Sequence, residues 1–118
     1  MRRLAVAVAL IAAPALAQGP AWVPAETAEL QALDKVTARI STIEARVGQT
    51  VAFGTLEIVV AACHRRPADE QPDAAAWLSV TDKRLGGQRV FAGWMFAASP
   101  ALNMLEHAVY DLRVLKCR

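Results

Sequence analysis

The sequence predicts an all-β domain, a single small antiparallel β-sandwich or barrel of six or seven strands with one short N-terminal helix. Three observations predict it. Apolar and polar residues alternate along much of the chain after Lys35, which is the period of half-buried strands. Turn residues break that alternation at Gly48, Gly86-Gly87 and Ser99-Pro100. No internal repeat and no low-complexity tract competes with this reading, and few residues carry a helical pattern.

The chain opens with "MRRLAVAVALIAAPALAQGP". Two arginines, an apolar run, Pro14 and then Ala15-Leu16-Ala17 are the three parts of a secretory signal peptide, expected over residues 1–17 with cleavage after Ala17. A membrane-spanning helix needs roughly 20 apolar residues, and this run is about half as long. The expectation is therefore export to the periplasm with no membrane span after cleavage.

Residues 18–34 are expected to hold an extended arm and the short helix. "QGPAWVP" carries two prolines and a glycine, with Trp22 as a docking point, and Thr27, Leu30 and Leu33 suggest one or two helical turns. Residues 35–118 are expected to form the β-domain. Val36, Ala38 and Ile40 start one strand, whose apolar parity then changes to Ile43, Ala45 and Val47, predicting a bulge near Ser41-Thr42. The chain turns at Gly48 and returns through Val51, Phe53, Leu56, Ile58 and Val60, with a second parity change at Gly54. "HRRPADEQPDA" reads as a surface loop. Trp77, Leu78 and Val80 mark a strand, Val90 to Phe96 its hairpin partner, and Ser99-Pro100 a short helical turn. Tyr110, Leu112 and Val114 give the closing strand.

Charge narrows the partners. Once Arg2 and Arg3 leave with the signal peptide, eleven basic residues face eleven acidic ones, and no basic cluster exceeds Arg65-Arg66. That excludes an electrostatic nucleic-acid surface.

The exported chain, about 100 residues, is a single domain with a marginal core. Two cysteines in an oxidising compartment predict a disulfide between Cys63 and Cys117, worth about 4 kcal/mol by chain entropy for so long a loop. The rival is a metal site from Cys63, His64, His107 and Cys117, or from His64, His107 and Asp111. Neither has the paired spacing that zinc sites use, so no metal or cofactor is expected.

The densest run is "FAGWMFAASPALNMLEHAVYD", residues 91–111. Its alternation puts Trp94 and Phe96 on the core face with Val90 and Ala92, and Phe91 and Met95 on the opposite face. Both faces are apolar, so this strand is either covered on both sides or exposes a patch for a partner. The candidate binding surface is Phe91, Trp94, Met95, Met104, Leu105, His107, Tyr110 and Asp111. His107 and Asp111, four apart, also suggest half of a hydrolytic triad with Ser99 as nucleophile. No glycine elbow surrounds Ser99, and the simpler role for His107 and Asp111 is to tie the Pro100 turn to the last strand.

Four segments, "ALDKVTARI", "VGQTVAFGTLEIVVAAC", "AAWLSVTDK" and "FAGWMFAASPALNMLEHAVYDLRVLKC", together resemble the bacterial family named domain of unknown function 2155, found mainly in alphaproteobacteria. The resemblance covers residues 30–117. It implies a small exported protein with two cysteines at these places and carries no known activity, cofactor or catalytic residue. Genes of the family often lie beside respiratory-chain accessory genes, which implies a membrane complex as one partner. Two positions depart from the family pattern: Ala108 where a proline usually follows the histidine, and Arg113 where an aromatic is common.

The sequence thus predicts a non-catalytic exported module that binds an envelope or membrane-complex protein. The alternatives are a small hydrolase or metal-dependent enzyme centred on Ser99, His107 and Asp111, and a structural envelope component.

Overall fold

The computed structural model describes residues 2–12 and 21–118. Residues 2–12 form no helix or strand and are exposed. The expected cleavage site and the first residues of the arm lie outside the described residues.

Among the described residues every regular element other than the 3-10 turns is a strand: β1 Val23–Pro24, β2 Thr27–Asp34, β3 Arg39–Arg46, β4 Thr50–Phe53, β5 Leu56–Arg65, β6 Ala74–Asp82, β7 Gln88–Phe96 and β8 Tyr110–Cys117. Two antiparallel sheets result. One has five strands in the order β1-β5-β6-β7, with β4 also on β5; the other has three in the order β3-β2-β8. Among the described residues no closed barrel forms. Both inner faces contribute to one core, with Leu30, Leu56, Ile58, Val60, Leu78 and Val80 at its centre.

The helix expected near Thr27 is instead the central strand of the smaller sheet. Ala28, Leu30 and Ala32 are fully buried at every second position, while Leu33 turns to the other face. Pairing to both β3 and β8 supplies the hydrogen bonds that a helix of two turns could not keep on its own. The next strand also begins later than expected. Asp34 Oδ1 accepts from the N–H groups of Val36 and Thr37, and Ala38 adopts φ 57°, so residues 35–38 are a turn, with Val36 and Ile40 exposed. The parity change at Ser41-Thr42 therefore marks the end of a turn and not a bulge: β3 stays in register with β2 from Arg39 to Arg46. Gly54 likewise forms the β4–β5 turn.

The bulges lie elsewhere. Pairing skips Ala61 in β5, Val90 in β7 and Leu115 in β8. Each extra residue reverses the parity of the strand beyond it. In β5 the buried set runs Leu56, Ile58, Val60 and then Cys63; in β8 it runs Tyr110, Leu112, Val114 and then Cys117. Both cysteines thus face inward because a bulge precedes each by two residues. They form a disulfide across 54 residues of chain with a Cα–Cα distance of 5.7 Å, joining the end of the smaller sheet to the larger. Ala76 and Ala28 sit opposite them and leave room for the sulfurs.

In β7 the inner face is Phe91 and Met95, both buried, and the outer face carries Trp94, 39% exposed. This reverses the expected assignment of Trp94 to the core. With apolar residues on both faces, periodicity had no means of choosing between them. β8 packs chiefly over β6, so the smaller sheet leaves the inner side of β7 to another cover. Residues 97–109 supply it. This strap starts where Ala97 N–H bonds Ala74 O, takes a 3-10 turn at Pro100–Leu102, and donates Asn103 Nδ2 to Trp94 O at 2.9 Å. It then buries Leu105 and ends at His107 and β8. A Cβ at Gly93 would lie 2.7 Å from Asn103 Nδ2, so the strap runs close against the β7 backbone and a side chain there would push the Asn103 amide aside.

Candidate functional site

Two clusters of chemistry-bearing side chains stand out. The first surrounds His107, in the strap just before β8. Its Nε2 lies 2.8 Å from Asp82 Oδ2, and its Nδ1 accepts from the backbone N–H groups of Val109 and Tyr110 at 3.0 and 3.2 Å. An Nδ1 that accepts twice carries no proton, so the ring proton sits on Nε2 and is donated to Asp82.

Asp82 is the last residue of β6 and is 1% exposed, the one charged residue inside the core among the described residues. Its Oδ1 accepts from Arg84 N–H at 2.9 Å. Hydrogen bonds from His107 and Thr55 hold its carboxyl below the usual carboxylate range, with the Arg84 N–H helping and burial opposing. Tyr110 completes the cluster. Its hydroxyl accepts from Thr55 N–H at 3.3 Å, and its ring lies edge-on to Phe53 and tilted against His107. Gly54 has φ 57°, and a Cβ there would meet Tyr110 Oη at 2.2 Å, so the turn accepts no side chain. Lys35 Nζ donates to the carbonyl of His107 from the neighbouring hairpin.

Both nitrogens of His107 are engaged, and the side chain is 11% exposed. A general base needs a nitrogen open to substrate; what this geometry provides is a latch between the strap, β6 and the β4–β5 turn. His107 does tie the strap to the fold, through Asp82 and not through Asp111. Asp111 lies across from Leu33 on β8 and alternates away from the core. Ser99 is exposed, makes no capping bond, and does not join His107. The residues of the rival metal sets are engaged elsewhere. Cys63 and Cys117 are consumed by the disulfide, His64 lies on the outer face of the larger sheet, and His107 serves Asp82. Among the described residues no group of three His, Cys, Asp or Glu could hold a metal ion.

The second cluster is the outer face of the larger sheet. Register puts His64, Ala75 and Phe96 in one row across β5, β6 and β7, and Ala62, Trp77 and Trp94 in the next. The arm brings Trp22 over the same face, because Pro24 pairs with His64. A cleft of about 380 Å³ opens between Trp22, His64, Ala75, Trp94 and Phe96. All three tryptophans of the chain lie on this side. Arg66 stacks its guanidinium 3.7 Å from the centre of the Trp22 ring.

The structure divides the sequence-derived surface. Phe91, Met95, Leu105 and Tyr110 are buried in the core and cannot be contacts in this state, since the hydrophobic effect that closes the core hides them. Trp94 at 39% and Met104 at 55% are open, Asp111 is partly open, and His107 is nearly covered. Leu102, 74% exposed, joins the open set beside Met104. Sequence reasoning missed Asp82, although its signal was present: an acid continuing the inward series Ala76, Leu78, Val80 must have a partner. It also missed the cleft, which only cross-strand register reveals.

A family described as "Uncharacterized protein conserved in bacteria (DUF2155)" matches residues 28–117. The chain belongs to the DUF2155 family. That match spans β2 to β8, and so includes the disulfide, the latch and the strap. A relative is "Uncharacterized protein RP359" of Rickettsia prowazekii (strain Madrid E), 26% identical over 88 residues, which are 73% of this chain and 57% of that protein. This DUF2155 chain therefore spans little more than half of that relative's length. No solved structure matches it. No helix among the described residues is long and apolar enough to cross a membrane.

Proposed function

We propose that this chain is a periplasmic, exported, non-catalytic binding or accessory module that docks an envelope or membrane-complex protein through β7 and its strap. In this reading the two sheets act as one small rigid sandwich, and the apolar leader and the disulfide both fit an oxidising destination. One observation carries the docking surface: the run 91–111 is sorted into an inward half and an outward half. Phe91, Met95 and Leu105 anchor it from within, while Trp94, Leu102 and Met104 are presented to solvent. Large apolar side chains held outward by a buried base are what a partner site requires. No step of chemistry is assigned to His107, whose two nitrogens already have partners.

The test is in-cell photo-crosslinking at Met104 and at Trp94, followed by mass spectrometry of the adducts. The expected result is one dominant envelope protein captured from both positions. Absence of any adduct from both, in a protein shown to be exported and folded, would sink the docking reading.

A further inference from the structure

We propose that the aromatic cleft on the outer face of the larger sheet receives an uncharged, proline-rich segment of polypeptide in the extended polyproline II conformation. This names the chemistry of a partner and rests on the accessory reading for that partner's being a protein. The first reason is the position of the cleft on a sheet face. Ala75 forms its floor, and β6 pairs there with His64 on one side and Phe96 on the other. The backbone groups below the cleft are spent in the ladder and have nothing to offer an occupant. An extended β-type segment laid on this face would bring its own N–H groups to apolar walls without partners, which is costly. A polyproline segment needs no such partners, because its backbone stays hydrated and proline has no N–H.

The second reason is the composition of the walls. Trp22, Trp94 and Phe96 provide ring faces, and His64 is the one titratable wall residue. Neither a carboxylate nor an ammonium group lines the cleft, so it matches an uncharged occupant. A sugar ring also stacks on tryptophan, but its hydroxyls need more polar partners than one imidazole and two indole N–H groups supply. Proline rings present only C–H surface to the same walls. At about 380 Å³ the cleft is near the lower end of the range for small-ligand sites, suited to a few rings and not to a bulky segment.

The third reason is that Trp22, Trp94 and His64 already have ring contacts that orient them. Arg66 stacks its guanidinium on the Trp22 ring. Asn103 holds the carbonyl of Trp94, and the His64 and Trp94 rings lie 5.9 Å apart at a tilt of 57°. These contacts lower the side-chain freedom lost on binding, which favours a stiff ligand recognised by shape.

The experiment titrates the purified chain with a blocked proline/alanine peptide, a glycine/serine peptide of equal length, and a chitin-derived oligosaccharide. Indole N–H resonances report the site, and calorimetry gives affinity. The expected result is saturable shifts at Trp22 and Trp94 with the proline peptide alone. Trp94→Ala should weaken that binding about tenfold or more with an unchanged melting midpoint. Should that variant lose stability, Trp22→Ala on the peripheral arm serves in its place. An equal response to the glycine/serine peptide, saturation by the oligosaccharide instead, or undiminished binding in a folded variant would overturn the proposal. A partner captured at Met104 without peptide binding would remove this proposal and leave the accessory reading standing.

Discussion

The two ends of β8 are fastened by different chemistry. At its far end Cys117 is bonded covalently to Cys63, and around both sulfurs lie small residues such as Ala28 and Ala76. At its near end Tyr110 and the adjoining His107 are held by hydrogen bonds to Thr55, Asp82 and the β8 backbone itself. Both devices join the smaller sheet to the larger. The covalent end depends on redox state and hardly on pH, whereas the hydrogen-bonded end depends on protonation and is indifferent to reductant.

Breaking the covalent end should have the largest effect. Reduction, or the double substitution Cys63→Ala/Cys117→Ala, should cost about 4 kcal/mol, read as a lowered urea midpoint. Thiol titration of the denatured, unreduced protein should find none free. At the other end Gly54→Ala should cost on the order of 2 kcal/mol, because it combines a positive φ with a collision on Tyr110. Tyr110→Phe keeps the ring and loses one hydrogen bond, so about 1 kcal/mol is expected. If Tyr110→Phe instead matched the loss of the disulfide, the hydroxyl would be the dominant fastening and the ranking would be reversed.

The pH dependence sharpens the same contrast. Asp82 has a folded pKa below its ordinary value of 3.8, so its contribution to stability is fully present above that value and is lost as pH falls through the folded pKa. Acidification below about pH 4 should therefore loosen the near end first. Hydrogen exchange at the Val109 and Tyr110 amides should accelerate before exchange around Cys63, and Asp82→Asn should flatten this limb of the stability curve. Simultaneous release of both ends would show that they unfold as one unit. The smallest effect belongs to the outer face: Trp94→Ala should change stability by less than about 1 kcal/mol.

Much of this was legible in sequence, and the failures have physical causes. The all-β class followed from alternation, and the cysteine pair from an even count. The helix at Thr27 was misread because alanine is a weak apolar signal: Leu30 and Leu33 suggested a helical spacing while Ala28 and Ala32 carried the true period. The inward face of β7 was unreadable because both faces are apolar, and Val90 adds a residue where pairing slips. The latch was half legible. His107 looked like a partnered histidine, but its carboxylate comes from 25 residues earlier in the chain, and local spacing favoured Asp111. The cleft is assembled from the arm and three strands, so no window of sequence contains it.

The bulges at Ala61 and Leu115 give oxidation a second meaning. Each cysteine points inward only if its strand has taken up the extra residue, and a strand paired one position out of register would aim its thiol at solvent. Correct threading of both strands is therefore what brings the two sulfurs face to face in the folded protein. Once formed, the bond works as a lock on register: neither strand can slide past its bulge without pulling the two sulfurs apart.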